Sequence, residues 1–296
     1  MTCLACNGST TAQRIWPVED ATVCSRCGFI SANCEVNSSS PDLYDEQWSK
    51  VERHPTYEFH NGQYVIRNNW KLQRLLDRLA KFRKLNRILD VGCSAAFFLK
   101  LAQENGWEPQ GVEVTEWAAK FSSEKLGVPV FNGYLEDAHF PDDHFDVVAS
   151  SHVIEHIQDP KTLLCEMRRV LRPGGALVAI VPTQFRAPSY LFFKDFYGET
   201  PPRHVSFFSR GSMEALLKSN GFRIHRSLMN IELQILLEHF KLKQLERKKT
   251  HLEASGASSA PNRTPSLPVR VVKNFVNRVG TVLDIGDEIC TIAVRN

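Results

Sequence analysis

The sequence contains no long hydrophobic run and no strong excess of charge of either sign. No apolar stretch reaches the roughly 20 residues of a membrane-spanning helix, and no hydrophobic segment follows a basic amino terminus. These absences predict a cytoplasmic protein without a transmembrane segment. The net charge of +3 at pH 7 is too small to indicate nucleic-acid binding by itself. The length of 296 residues allows one large domain and a small one.

Disulfide bonds are not expected in a compartment where thiols stay reduced, so the eight cysteines need another explanation. Four of them form two Cys-x-x-Cys knuckles separated by seventeen residues: Cys3, Cys6, Cys24 and Cys27. This spacing is typical of a zinc ribbon, in which four sulfurs surround one tetrahedral ion. A redox pair is the alternative, which the presence of two matched knuckles disfavours. Because four thiolates leave no open coordination position, the predicted zinc is structural.

The glycine-rich G-x-G-x-x-G turn of a dinucleotide-binding sheet is also absent. Instead, a β-rich run over residues 88–91 turns at Gly92 into small residues up to Ala96 and then into a helical pattern. About twenty residues later the next strand ends at Glu113, whose carboxylate can accept two hydrogen bonds from a ribose diol. Asp90 would repel a pyrophosphate but could orient a cationic amino acid. The pattern therefore favours binding of S-adenosylmethionine over binding of NAD. The alternative is an ordinary strand–helix–strand crossover that binds no ligand.

The other elements continue the alternation of helices and strands that is typical of an α/β protein. An amphipathic helix is predicted before the sheet, over residues 69–85. The later helices are predicted over 117–126 and 159–171, and the later strands over 128–131, 145–151, 176–181 and 288–295. Three cysteines in predicted elements are interpreted as small core residues: Cys93, Cys165 and Cys290.

Four motifs carry a family resemblance: LDVGC, GVEV, FDVVASSHVIEHIQDP and RRVLRPGGALVAIVP. In this order they resemble the Rossmann-like, class I S-adenosylmethionine-dependent methyltransferases. The likeness is greatest to the small-molecule branch, which includes ubiquinone-pathway O-methyltransferases and enzymes of sugar and glycan biosynthesis. The resemblance implies an α/β fold with a Rossmann-like seven-stranded methyltransferase sheet, joined here to a small N-terminal zinc ribbon. We expect a zinc ribbon at 1–40, a linker and amphipathic helix at 41–85, a methyltransferase core at 86–230, a helical insertion with a flexible linker at 231–287, and the last core strand at 288–296.

By position, the resemblance also implies which residues hold S-adenosylmethionine. They are Asp90, Gly92, Cys93 and Ser94 at the methionine end, Glu113 and Val114 at the ribose, Leu135 and Glu136 at the adenine, and Ser150 and Ser151 under the sulfonium. Family members usually have glycine where this chain has Ser94 and Ala96. If either position needs a positive φ, the side chain costs about 1 kcal/mol.

Two histidines are candidates for the base that accepts the acceptor's proton. His204 follows the fifth strand on a loop, and His152 follows the fourth strand at its carboxyl end. The alternative for His204 is a hydrogen bond that only stabilises its loop. His152 also begins the sequence H-x-x-E-H, which continues to Glu155 and His156. As a bare motif this is an inverted zinc-protease signature, but its place after a buried strand disfavours a protease.

The H-x-x-E-H segment has two further interpretations. Glu155 and His156 can simply cap or brace the following helix. Alternatively, the segment resembles one in ubiquinone-pathway methyltransferases, which have a glutamate at the position of His152 and hold a divalent ion there. A histidine at that position disfavours Mg²⁺, since imidazole suits softer ions. Whether these residues bind a second metal is left open at this point.

The sequence therefore predicts an S-adenosylmethionine-dependent methyltransferase that acts on a small polar metabolite or glycan end, by O-methylation with a histidine base. One alternative is a zinc-ribbon ribosomal RNA methyltransferase, which the basic cluster KLKQLERKK favours and the modest net charge disfavours. Another is a binding module that has lost its cofactor. A homodimer is compatible with the sequence, and the 231–287 insertion could serve as a lid, a dimer arm or a membrane-surface contact.

Overall fold

The computed structural model describes residues 2–15, 18–34, 57–60, 63–66, 70–183, 204–230 and 276–296. Most of the predicted insertion at 231–287 therefore lies outside the described residues; the part within them is 276–287, of which 276–283 are helical. Within the described ranges, no helix combines the length and apolar character that crossing a membrane requires.

A seven-stranded mixed sheet forms the centre of the molecule and confirms the predicted α/β fold. Its strands are β6 (Arg87–Val91), β7 (Glu108–Glu113), β8 (Val130–Asn132), β9 (Phe145–Ser151), β10 (Leu171–Pro182), β12 (Phe222–Asn230) and β13 (Glu288–Arg295). They lie in the order β12-β13-β10-β9-β6-β7-β8. The strands from β10 to β8 are parallel, whereas β13 is antiparallel to both of its neighbours.

Helices cover both faces of this sheet because successive strand residues point to opposite sides. On one face, Ile88, Val147 and Val178 pack beneath three helices, α1 (Trp70–Leu79), α2 (Phe97–Glu104) and α3 (Glu116–Leu126). On the other face, Leu89, Val148 and Leu177 pack beneath α4 (Pro160–Val170) and α5 (Arg210–Ser219). Strands buried on both faces explain the continuous apolar runs in the sequence.

The predicted boundaries hold for the strands at 145–151 and 288–295 and shift elsewhere. The first helix ends at Leu79, after which residues 80–82 form a 3₁₀ turn. The strand predicted at 176–181 extends over Leu171–Pro182, because the Pro-Gly-Gly segment is an irregularity in its pairing with β9 rather than a turn before the strand. Cys165 is exposed, so its interpretation as a core residue is wrong, while Cys93 is buried as expected.

A buried carboxylate holds the segment that leads into β6. Asp146 is fully buried and accepts hydrogen bonds from the backbone N–H groups of residues 84, 85 and 86, at 2.9, 2.7 and 2.7 Å. Its other oxygen pairs with the guanidinium of Arg172, which also donates to the Phe82 carbonyl. Asp146 thus joins β9, β10 and the end of the first helical segment at the amino edge of the sheet.

The amino-terminal residues form a second, smaller sheet from β1 (Thr10–Ile15), β2 (Val18–Cys24) and β3 (Ile30–Ala32). A short strand from the core sequence, β11 (Ser206–Phe207), completes it by pairing antiparallel with β3. The rings of Phe29 and Phe208 lie 5.2 Å apart next to this pairing. The amino-terminal unit is therefore attached to the core by a continuous sheet.

A two-stranded hairpin, β4 (Tyr57–His60) and β5 (Gln63–Ile66), lies between the two sheets in the sequence. The ring of Tyr64 contacts the ring of Phe121 with centroids 5.2 Å apart, and Phe121 in turn stacks on Trp117. At Tyr64, an aromatic residue of the linker segment therefore packs against the core.

Candidate functional site

The turn after β6 has the backbone of a ligand-binding loop. Gly92, Ser94 and Ala96 have φ values of 74°, 49° and 51°. A side chain on Gly92 would lie 2.3 Å from Cγ2 of Val153, so only glycine fits beneath the loop after β9. Ser94 and Ala96 have left-handed backbone conformations although both carry side chains. The backbone strain that the sequence analysis makes conditional on a positive φ is therefore present at both positions.

Glu113, at the end of β7, faces this turn. Its Oε2 accepts a hydrogen bond from the backbone N–H of Ser94 at 2.8 Å, and its Oε1 accepts one from Thr115 at 3.0 Å. The side chain is 8% exposed. Each carboxylate oxygen retains a second lone pair, so the group can still accept hydrogen bonds from a ribose diol.

Three polar side chains around the turn have unmet hydrogen-bonding capacity. The hydroxyls of Ser94 and Ser150 are buried, and neither has a hydrogen-bond partner in the described part of the chain. Asp90 is 7% exposed, and burial together with the nearby charge of Glu113 raises its pKa to about 7. A buried polar group without a partner is costly. A ligand with a cationic and a hydrogen-bonding end would relieve all three, so these residues fit the methionine end of S-adenosylmethionine.

The remaining predicted cofactor residues divide into surface and core positions. Val114 is 48% exposed directly after Glu113, and Ser151 and Glu136 are also exposed. The side chains of Cys93 and Leu135, in contrast, are packed in the core, which leaves only their backbone atoms for a ligand.

His152 lies at the carboxyl end of β9 with a φ of 56°. Its ring nitrogens lie 3.4 Å from Oε1 of Glu155 and 3.2 Å from Oε1 of Glu288. Burial alone would lower the pKa of His152, but the two carboxylates outweigh burial and raise the pKa to about 10. The imidazole is therefore positively charged at neutral pH in this arrangement.

His204 lies beside the same loop. It is 8% exposed, and its ring centroid is 4.7 Å from that of His156. The ligand atoms of Glu155, His156 and His204 all lie within 4.8 Å of one another. The structure therefore places His204 next to the H-x-x-E-H segment, although 47 positions separate His204 from His156.

The four knuckle cysteines converge beside the loop between β2 and β3 of the small sheet. Cys3, Cys6, Cys24 and Cys27 have sulfur atoms within 4.8 Å of one another. The Cys3–Cys27 and Cys6–Cys24 sulfur distances are 3.6 and 3.5 Å, much longer than a disulfide bond. Four clustered thiols can surround one tetrahedral metal ion.

A family model described as a methyltransferase domain matches residues 64–227, which is more than half of the chain. The chain belongs to this methyltransferase family. It is an S-adenosylmethionine-dependent methyltransferase, as the sequence predicts.

Curated relatives of this methyltransferase include demethylmenaquinone methyltransferases. The one from Listeria welshimeri is 28% identical over 170 residues, which cover 54% of this chain and 72% of the relative. The one from Geobacillus kaustophilus is 27% identical over 173 residues, which cover 54% of this chain and 73% of the relative.

Solved structures share the fold at low sequence identity. A SAM-dependent methyltransferase from Archaeoglobus fulgidus has a TM-score of 0.51 and 20% identity, with 87% of this chain and 100% of that chain covered. A complex between the Haloferax volcanii Trm112 methyltransferase activator and a methyltransferase has a TM-score of 0.53 and 14% identity, with coverage of 88% and 97%. At these identities the likeness establishes the sheet and its helices.

Three residues of the site were missed from the sequence. Thr115 binds Glu113 through its backbone N–H, which any residue type could do. Val153 covers Gly92, and Glu288 binds His152 from the last strand of the sheet. Because Val153 follows the carboxyl end of β9, the sequence could have indicated that it lies near the site. The contact of His152 with Glu288 depends on the order of distant strands, which the local sequence does not show.

Proposed function

We propose that this methyltransferase holds S-adenosylmethionine at the carboxyl edge of β6 and β7. Asp90 faces the cationic amino-acid end, Ser94 and the Gly92 turn lie against the carboxylate and sulfonium region, and Glu113 binds the ribose. Val114 adjoins the ribose beside Glu113, Glu136 and the backbone of residue 135 adjoin the adenine, and Ser150 and Ser151 lie towards the sulfonium. The observation that supports the proposal is the 2.8 Å hydrogen bond from the Ser94 backbone N–H to Glu113, which holds the Glu113 carboxylate beside the turn.

We propose further that the acceptor is a small polar metabolite or a glycan end that is methylated at oxygen. The acceptor would lie over the loop after β9, with His204 as the base. His152, the other histidine that the sequence predicts as a base, has a pKa raised to about 10 by Glu155 and Glu288, so it already carries a proton at neutral pH and cannot take up another. The bound cofactor supplies an activated methyl group, so the protein's task is to align the acceptor oxygen with it and to take up the hydroxyl proton.

The knuckle cysteines are proposed to hold a structural zinc ion. Four sulfurs within 4.8 Å of one another support a closed tetrahedral shell, which has no position for substrate. The pairing of β3 with β11 connects the ribbon to the chain segment that carries His204, because β11 begins two residues after His204. The proposed domain boundaries are those that the sequence predicts, except that residues 206–207 belong to the ribbon's sheet.

Titration calorimetry with S-adenosylhomocysteine tests the cofactor site. Glu113→Gln removes a charged hydrogen-bond acceptor and should weaken binding roughly 10- to 100-fold. Glu116→Gln, an exposed change in the same segment, is the matched control and should leave affinity unchanged. Wild-type affinity in Glu113→Gln would contradict the proposed ribose contact.

Transfer of labelled methyl groups tests the acceptor class. Sugars and glycan ends should be methylated. Demethylmenaquinone, after which the relatives are named, and RNA oligonucleotides complete the panel. Transfer to RNA alone would contradict the small-acceptor proposal and favour the ribosomal RNA alternative.

A further inference from the structure

A β-bulge in β12 places two arginines on the same face of the large sheet. Arg223 opposes Val294 of β13 and Arg226 opposes Ile292, while one extra residue, His225, interrupts the register between them. Opposed residues of an antiparallel pair lie on one face, and Ile292 belongs to the face that packs beneath α1. In a regular strand, side chains three positions apart would point to opposite faces. The bulge therefore brings both arginines to the α1 side of this edge strand, where both are exposed.

The helix beside this strand presents further cations to the same place. Arg74 and Arg78 are one turn apart on α1, and Lys81 follows in the 3₁₀ turn after the helix. Lys81 Nζ donates a hydrogen bond to Nε2 of His225, which joins the end of the helical segment to the bulge. Burial, followed by the charges of Arg226 and Arg74, lowers the pKa of Arg78. The cations of the helix and of the strand therefore share one surface, called the basic surface below: Arg74, Arg78, Lys81, Arg223 and Arg226.

Acidic side chains do not balance the basic surface. Four of its members form no ion pair with a carboxylate in the described part of the chain: Arg78, Lys81, Arg223 and Arg226. Burial, followed by the positive charges of Lys81, Arg223 and Arg226, lowers the pKa of His225. Other arginines near the same edge of the sheet are paired with aspartates. A local excess of positive charge of this kind is the electrostatic signature of an anionic partner.

Aromatic rings lie among these cations. The guanidinium of Arg74 is 5.9 Å from the ring centroid of Trp70, and the ammonium of Lys81 is 5.0 Å from that of Phe82. Both rings are partly exposed. Arginine can bind a phosphate through two parallel hydrogen bonds, and nucleic-acid bases stack on aromatic rings. Cations that alternate with rings therefore fit the phosphates and the bases of a single nucleic-acid strand.

The basic surface lies near the opposite edge of the sheet from the proposed cofactor site. β12 begins at Phe222, which pairs with Arg295, and ends at Asn230, which pairs with Glu288 beside the carboxyl end of β10. The two arginines of β12 are in its first half, whereas the cofactor is proposed to bind at the carboxyl edge. A partner on the basic surface therefore leaves the acceptor side of the core open.

We propose that the basic surface binds the phosphate backbone of a single-stranded nucleic acid. The bound strand is a docking partner and not the methyl acceptor, so this proposal does not depend on the proposed function. Affinity comes from phosphates that replace their counterions with arginine and lysine side chains, and binding is therefore sensitive to salt.

Fluorescence anisotropy of the full-length protein with a labelled oligouridine tests the basic surface. Wild type should bind, and the logarithm of the binding constant should fall linearly with the logarithm of the salt concentration. The double variant Arg223→Gln, Arg226→Gln should bind about 10-fold more weakly at low salt, with a slope smaller by about 1.4, at about 0.7 for each lost phosphate contact. The double variant Lys120→Gln, Lys125→Gln removes two exposed cations from α3 and is the matched control, which should bind as wild type does.

Two further measurements separate loss of docking from misfolding and from failure of the proposed function. Circular dichroism and S-adenosylhomocysteine affinity should be unchanged in the Arg223→Gln, Arg226→Gln variant, because neither arginine belongs to the proposed cofactor site. Absence of oligouridine binding in wild type, or equal losses in the two double variants, would overturn the proposal. Sedimentation with phosphatidylglycerol vesicles tests the other polyanionic partner: binding to vesicles without binding to oligouridine would overturn the nucleic-acid proposal in favour of a membrane surface.

Discussion

If Asp90 faces the ammonium group of the cofactor as proposed, cofactor binding should depend on pH. Burial and the charge of Glu113 raise its pKa to about 7, and the neighbouring Cys93 thiol, whose pKa is also raised, stays neutral. The ammonium group of S-adenosylmethionine favours the ionised carboxylate, so binding below pH 7 must release a proton. Affinity should therefore rise as the pH increases from about 5 to 7 and level off above it.

Calorimetry over this pH range checks the prediction, with Asp90→Asn expected to bind weakly and without the pH dependence. Asp77→Asn, on the exposed side of α1, should behave as wild type. In the free protein the sign is reversed: because the native state holds the proton of Asp90 up to pH 7, the free energy of unfolding should fall as the pH rises from about 4 to 7. An affinity that is flat in wild type would contradict the assignment of Asp90.

Ser94 and Ala96 hold left-handed backbone conformations that glycine adopts without strain. Ser94→Gly should therefore raise the free energy of unfolding by about 1 kcal/mol. Ala96→Gly should gain less, because its buried methyl group is lost. Denaturant titration measures both changes. Ala102→Gly within α2 serves as the control and should lose more than about 1 kcal/mol, because both helix propensity and a buried methyl group are lost.

At single positions, the sequence predicted a residue's role well where only that residue type can fill the role. Gly92 and Glu113 were predicted in this way, and the structure brings them together at the turn. The side-chain direction of Leu135 could not be predicted, because an apolar residue after a strand can face either a ligand or the core. The encounter of His204 with Glu155 was equally hidden, since it depends on two loops that are distant in the sequence.

The segment before β6 depends on one buried ion pair. Asp146→Asn leaves Arg172 without its charged partner and weakens three backbone hydrogen bonds, so it should reduce the free energy of unfolding by about 3–5 kcal/mol. Asp142→Asn removes a partner of Arg169 at a site where the carboxylate side chain is 74% exposed and should cost less than about 1 kcal/mol. Equal losses in the two variants, measured by urea denaturation, would contradict this role for Asp146.

Among the elements, those with strong local signals were predicted closely. The strand Phe145–Ser151 is a continuous apolar run, and Asp159 begins the helix Pro160–Val170 by accepting a hydrogen bond from the Lys161 N–H. The two-residue strand Ser206–Phe207 has no periodicity to read, and only its pairing with β3 makes it a strand. Local pattern therefore identified most strands of the large sheet, but neither the strand Phe222–Asn230 nor the join between the sheets.

If the ribbon holds zinc as proposed, the pairing of β3 with β11 should connect loss of that ion to the segment that carries His204. Cys24→Ser should remove the structural ion and loosen β3, and with it the adjoining segment at His204 and Val205. We expect a lower melting temperature, loss of methyl transfer, and faster hydrogen exchange at residues 205–207. Cys165→Ser changes an exposed thiol and should leave all three unchanged. Normal exchange at 205–207 in a metal-free Cys24→Ser protein would contradict the connection.

For the molecule as a whole, the α/β class followed from the sequence pattern and the seven-stranded sheet from the family resemblance. The arrangement of the two clusters of potential metal ligands followed from neither. Both clusters flank the same stretch of chain: Phe208 packs on Phe29 next to the cysteines, and His204 reaches Glu155. Such proximity arises from packing between elements, which no single stretch of sequence encodes.

The late position of β11 in the sequence also has a consequence during synthesis on the ribosome. The cysteine knuckles emerge first and can take up their ion early, yet the outer edge of β3 stays unpaired until Ser206 and Phe207 have been translated. An unpaired edge strand is a template for wrong partners. We therefore expect nascent chains that stall before this point to be prone to aggregate through the amino-terminal sheet, and chaperones to be needed most in that interval.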